Sequence, residues 1–167
     1  MTKWLITLAA AVTRPNYDRE RSLFPNYRID RISVYGTPGF TRQVSDALSR
    51  LKAAYPYGYS LAQRYIHAIV ESNARRGMGI ALGVVFQRSS GQGELPVPAS
   101  RFAAHLVRHA IAFRKLLAFN IWRSPRSELG SLNRELRAMR QLGCDQEYFH
   151  RPLNIALQLE RRLRKGC

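Results

Sequence analysis

The longest apolar-periodic run, Ala99 to Phe119, constrains this 167-residue chain more than any other stretch. Read at about 100° per residue, Phe102, Ala103, Leu106, Ala110, Phe113 and Leu117 fall on one face. Ala104, Ile111, Ala112 and Ala118 narrow the polar side, so the spacing predicts a largely buried helix over 99–119. A helix apolar around most of its girth has to be covered by other elements. Ser100 is placed to cap it, because a serine hydroxyl can accept from the free amides of a first turn. Arg114 and Lys115 come late, where cations suit the helix dipole. Arg101, Arg108 and Lys115, spaced by seven, form a basic stripe expected on the side away from the core.

Around this run the patterning predicts a mainly α (α+β) domain. About five helices are expected to pack around the central helix, with a minor two- or three-stranded sheet. Thr13 to Asn26 reads as a loop, and Tyr27 to Tyr35, β-branched and aromatic, as a strand. Phe40, Val44, Ala47, Leu48 and Leu51 predict a helix over about 38–54, with Thr37 as N-cap and Pro38 at the first helical position. Ser60 with Gln63 reads as a capping box for a helix running to about Asn73, with Leu61, Tyr65, Ala68 and Ile69 inward and His67 on it. Met78 to Phe86 predicts a second strand, and Gln87 to Pro98 an exposed loop. Gly91-Gln92-Gly93 lacks the rest of a phosphate-loop pattern. Trp122 to Ser127 reads as a basic connector. Leu129, Leu132, Leu136, Met139 and Leu142 form the stripe of a further helix, with Gly143 just past its end. Asp145 to Pro152 is expected to turn, and Pro152 to open a last helix through Leu163. The chain reads as one domain, residues 1–26 partly irregular and 27–165 the globular core, without internal repeat or linker.

Hydrophobic content of 46% argues against disorder. The formal net charge is +16, and only four of the 27 basic residues are lysines. Such a charge points to an anionic partner, a nucleic acid or an acidic protein. The arginines are scattered rather than run together, so arginine-rich codon usage accounts for the excess equally well. Cys144 and Cys167 form no zinc or redox motif, which suits free thiols in the cytoplasm. Trp4 to Val12 is apolar apart from Thr7. Ala9-Ala10-Ala11 would suit a signal-peptidase site, but the apolar core before it is very short, so a packed strand or helix is the favoured expectation beside a signal peptide. No stretch approaches the about 20 apolar residues of a membrane span.

The chemistry-bearing residues gather on the central run. His105 and His109, four apart on a helix, stand about one turn from each other, a spacing that can chelate zinc. Glu128 and Glu135, seven apart on the following helix, are the natural third ligands. The plainer reading puts the histidines at a core boundary and pairs the glutamates with Arg134 or Arg137 on a solvated face. His105-Leu106-Val107-Arg108-His109 resembles the His-Glu-x-x-His helix of the zincin metallopeptidases, with Leu106 where their general-base glutamate stands. A looser likeness spans more of the chain. A strand, Tyr-Gly-Thr-Pro-Gly-Phe, two helices, an Arg-Gly-Met turn, the buried helix and a Glu-bearing helix follow in the order of small bacterial zincin-like proteins carrying His-Asp-x-x-His. In that register Arg108, His109 and Ala112 fall on the His, Asp and His positions.

Either register implies a degenerate site. The resemblance thus implies a zincin-like helical domain acting as a basic binding or regulatory module, with no cofactor required. Two other readings stand beside it. One is a nucleic-acid-binding protein using Arg101, Arg108, Arg114, Lys115, Arg123 and Arg126 together with the tail Arg161, Arg162, Arg164 and Lys165, with Tyr55, Tyr57 and Tyr59 stacking on bases. The other is a hydrolase in which His105, His109 and a glutamate hold zinc.

Overall fold

The computed structural model describes residues 17–19, 21–72, 83–89, 95, 97–119 and 124–165. The fold is mainly helical α+β. Strands β1 (Asn26–Ile29) and β2 (Ile32–Tyr35) precede helices α1 (Pro38–Ala54) and α2 (Pro56–Tyr65). Strands β3 (Ala68–Ser72) and β4 (Val84–Arg88) follow, then α3 (Ala99–Phe119), α4 (Pro125–Gln141), a 3-10 turn (Gln146–Phe149) and α5 (His150–Lys165). Helix α3 has the bounds that its periodicity predicts. It packs against α1, α2 and α4, and α5 packs on α4.

The sheet has four strands in the order β1-β2-β3-β4, not two or three. Two local misreadings account for the difference. Tyr27 to Tyr35 is not one strand but an antiparallel hairpin, with Ile29 opposite Ile32 and Asp30 at φ 52 in the turn. Aspartate tolerates this left-handed conformation, and a two-residue turn needs it. The second concerns Ala68 to Ser72. The helix expected to reach Asn73 stops at Tyr65, and β3 runs parallel to both β2 and β4. All five residues of β3 are buried. Ile69 joins the main core, while Ala68 and Val70 pack with Val84, Tyr17 and Tyr35 on the other face. The apolar part of β3, Ala68 to Val70, is too short for spacing to tell a strand buried on both faces from a helix.

Smaller corrections have equally local causes. Ser60 lies inside α2, which begins at Pro56, and Gln63 accepts from the Arg31 amide instead of closing a capping box. Ser100 lies inside α3, which begins one residue earlier. Residues 17–19 and 21–22 are helical rather than loop. The strand expected over Met78 to Phe86 is found at Val84–Arg88, residues 73–82 lying outside the described set. Leu95 is buried, its amide donating to Gln43, rather than exposed in a loop. His67 is exposed between α2 and β3, not on a helix. The last helix opens at His150. The Trp4–Val12 stretch and Cys167 lie outside the described residues.

Other caps follow expectation. Thr37 Oγ1 accepts from Phe40 N with Pro38 at N1, and Gly143 takes φ +63 after α4. Among the described residues no helix is long and apolar enough to cross a membrane. The main core joins Phe40, Leu48 and Leu51 of α1, Phe102, Leu106 and Phe113 of α3 and Leu132 and Met139 of α4.

Candidate functional site

Arg101, His105 and Arg108 lie at spacings of four and three on α3, so they share one face. That face meets α4. Arg101 Nη1 donates to Glu135 Oε1 at 2.5 Å, His105 Nδ1 lies 3.1 Å from the same oxygen, and Arg108 Nη1 reaches Oε2 at 3.4 Å. Arg108 Nη2 extends to Glu128 Oε1 at 3.2 Å. One heptad further along α3, Lys115 Nζ donates to the Ser127 carbonyl at 2.6 Å and contacts Ser131 Oγ at 3.4 Å. Rising numbers on α3 thus meet falling numbers on α4, as in an antiparallel pair. The basic stripe of Arg101, Arg108 and Lys115 faces α4, not the far side expected of it. Two carboxylates repeat on α4 with the same heptad spacing, so Arg101 meets Glu135 and Arg108 reaches both Glu135 and Glu128.

Glu135 is the centre of this cluster and is fully buried, 0% exposed. Burial by itself raises a carboxyl pKa. The His105 hydrogen bond and charge, with the Arg101 and Arg108 guanidiniums, outweigh it and hold Glu135 at about 2, below its ordinary 4.5. A carboxylate with a depressed folded pKa stabilises the fold above its unfolded pKa, and the gain is lost as the pH falls toward the folded value. The shift corresponds to about 3 kcal/mol, present at neutral pH and lost progressively between about pH 5 and pH 2. The unfolding free energy from urea titrations across that range should fall by this order. A profile flat down to pH 2.5 contradicts the cluster.

His109 is buried, 3% exposed, and its Nε2 lies 2.9 Å from His105 Nε2. An ionised Glu135 only accepts, so the His105 Nδ1 contact places a proton on Nδ1. The Nε2 to Nε2 contact then shares one proton between the two rings, because two facing N–H groups would repel and two lone pairs would not bond. Glu135, His105 and His109 therefore form one hydrogen-bonded chain running from α4 into α3.

The outer side of the cluster opens into a cleft of about 330 Å³, lined by Arg101, His105, Arg108, Arg151, Pro152 and Ile155. The last three come from the start of α5, which α4 carries across the mouth of the site. Sequence reasoning missed them. Their only signal was Pro152, expected to open a terminal helix, and nothing local relates it to His105.

Of the four residues expected as zinc ligands, His105, His109 and Glu135 meet, while Glu128 stands apart, its side chain 42% exposed and held by Arg108. Among the described residues no group of three or more His, Cys, Asp or Glu side chains is set to hold a metal ion. The residues expected to bind nucleic acid do not form one patch. Arg101, Arg108 and Lys115 turn inward onto α4, and Arg114 reaches Tyr57 Oη at 3.4 Å. Arg126 is exposed at the start of α4, and Arg161, Arg162 and Arg164 are exposed near the end of α5. Lys165 is the last residue of α5, and Arg123 lies outside the described residues. Tyr55 is buried, Tyr57 exposed and Tyr59 half-buried, so the three do not form an open stacking platform. Comparison with family models, with curated proteins and with solved structures finds no match for this chain.

Proposed function

We propose that this chain is a zincin-like helical domain whose site has become a non-catalytic, basic binding module for an anionic partner. The observation that carries the reading is Arg108. In the wider zincin-like register it stands where the first histidine ligand belongs, and its guanidinium bridges Glu128 and Glu135. A permanent organic cation thus engages both of the carboxylates that could have served as metal ligands.

The rest of the donor set fits zinc equally poorly. Both Glu135 oxygens already accept, one from Arg101 and His105 and the other from Arg108. Zinc would require the Nε2 lone pairs of both histidines and would have to displace the contact these atoms make with each other at 2.9 Å. Two guanidiniums beside the site add like-charge repulsion in a partly buried setting. Leu106, at the position of the zincin general base, is fully buried in the core and does not line the cleft. The half-buried free thiol of Cys144 suits a cytoplasmic setting.

The test is zinc titration by calorimetry together with a broad set of peptide substrates. No stoichiometric zinc binding and no chelator-sensitive cleavage are expected. Cleavage that a chelator stops and His105→Ala abolishes would overturn the reading in favour of a zinc hydrolase.

A further inference from the structure

We propose that the cleft between α3 and the start of α5 binds a phosphate monoester, held by the guanidiniums of Arg101, Arg108 and Arg151. This rests on the basic-module reading above and names the chemistry of its ligand.

Three observations support it. First, the hydrogen-bond donors in the cleft outnumber the acceptors. A guanidinium offers five N–H groups. Arg101 donates through Nη1 to Glu135, and Arg108 through Nη1 and Nη2 to the two glutamates. Arg151 is exposed and has no ion-pair partner among the described residues. The three arginines line one space from two helices, and a ligand that brings several acceptor oxygens on one compact centre suits them best. A phosphate monoester brings three terminal oxygens and close to two negative charges, where a carboxylate brings two oxygens and one charge.

Second, two of the three donors are held in place. Arg101 and Arg108 side chains are 16% and 23% exposed, and both are tied to a carboxylate that is itself fully buried. Anchored guanidiniums lose little freedom when a ligand arrives, which favours binding. The buried Glu135 orients them without reaching the opening.

Third, the shape suits a small group. A volume of about 330 Å³ lies at the low end of small-ligand pockets. Pro152 and Ile155 give one apolar wall, fit for the carbon portion esterified to the phosphate. The space is too small and too enclosed to follow a duplex backbone. The phosphate monoester could belong to a small metabolite or to a phosphorylated side chain, and the experiment separates these.

The full chain is titrated by calorimetry at moderate salt with inorganic phosphate, acetate and free phosphoserine. Further arms are a phosphoserine peptide with its unphosphorylated form, and a short oligonucleotide with and without a 5′-phosphate. Inorganic phosphate is expected to bind at one site, with acetate about ten-fold weaker or worse. Arg151→Gln should weaken phosphate by about ten-fold while leaving the unfolding midpoint unchanged, because Arg151 is exposed and each hydrogen bond to a charged group contributes on that order. Ile155→Asp, which sets a carboxylate in the wall, should weaken it further.

A phosphoserine peptide that binds more tightly than free phosphoserine supports the site and assigns its ligand to a phosphorylated chain. Equal binding of the two supports the site and assigns a small molecule. Phosphate that binds no better than acetate, or that ignores Arg151→Gln, overturns the proposal. Where phosphate fails but an oligonucleotide binds through Arg151 without needing its 5′-phosphate, the ligand class falls and the basic-module reading stands. Where no anion binds, both fall.

Discussion

Glu135→Ala should destabilise the protein by about 3–5 kcal/mol, a large share of the about 5–15 kcal/mol available to a domain. The effect does not come from losing one favourable contact. It comes from what remains: Arg101 and Arg108, mostly shielded from water, and the Nδ1–H of His105, all facing a void. Breaking a buried ion cluster by removing one partner leaves uncompensated charge in a poor dielectric. Urea unfolding gives the number directly. Glu135→Gln keeps one acceptor oxygen and should fall between the parent and the alanine variant. Replacing Arg101, Arg108 and Glu135 together by leucine should recover much of the loss, since a well-packed apolar set often matches a buried ion cluster in stability. A Glu135→Ala protein as stable as the parent would mean that the cluster is not formed in solution.

Leu106→Asp should unfold the chain. Leu106 is fully buried in the core that α3 shares with α1 and α4. A carboxylate there has to ionise in an apolar site or pay to stay neutral, and either route costs several kcal/mol, on the order of the whole stability. Circular dichroism and the loss of a cooperative transition would report it. Leu106→Glu should behave in the same way and gain no metal-dependent cleavage, although it restores the zincin glutamate in the shorter register. The side chain at 106 belongs to the core, while that of its neighbour His105 lines the cleft. A Leu106→Glu protein that folds and cleaves peptides would show that this position reaches the site after all.

Features set by short-range physics could be read directly from the amino-acid order. Helix α3 was legible because six apolar side chains at helical spacing need no knowledge of their partners. Thr37-Pro38 and Gly143 were legible because caps satisfy backbone groups within a few residues. His105 and His109 were legible as neighbours because one helical turn joins them. Tertiary structure decided the rest. Ala68 to Ser72 became a strand because β2 and β4 flank it and both of its faces are covered, a condition no local window contains. The basic stripe turned inward because α4 offers Glu128 and Glu135 at a matching repeat, and a charge turns to the partner that compensates its desolvation rather than to the side its own helix predicts. The cleft exists because the chain returns after α4 and sets Arg151, Pro152 and Ile155 against His105, residues distant in sequence and joined only by how the helices pack.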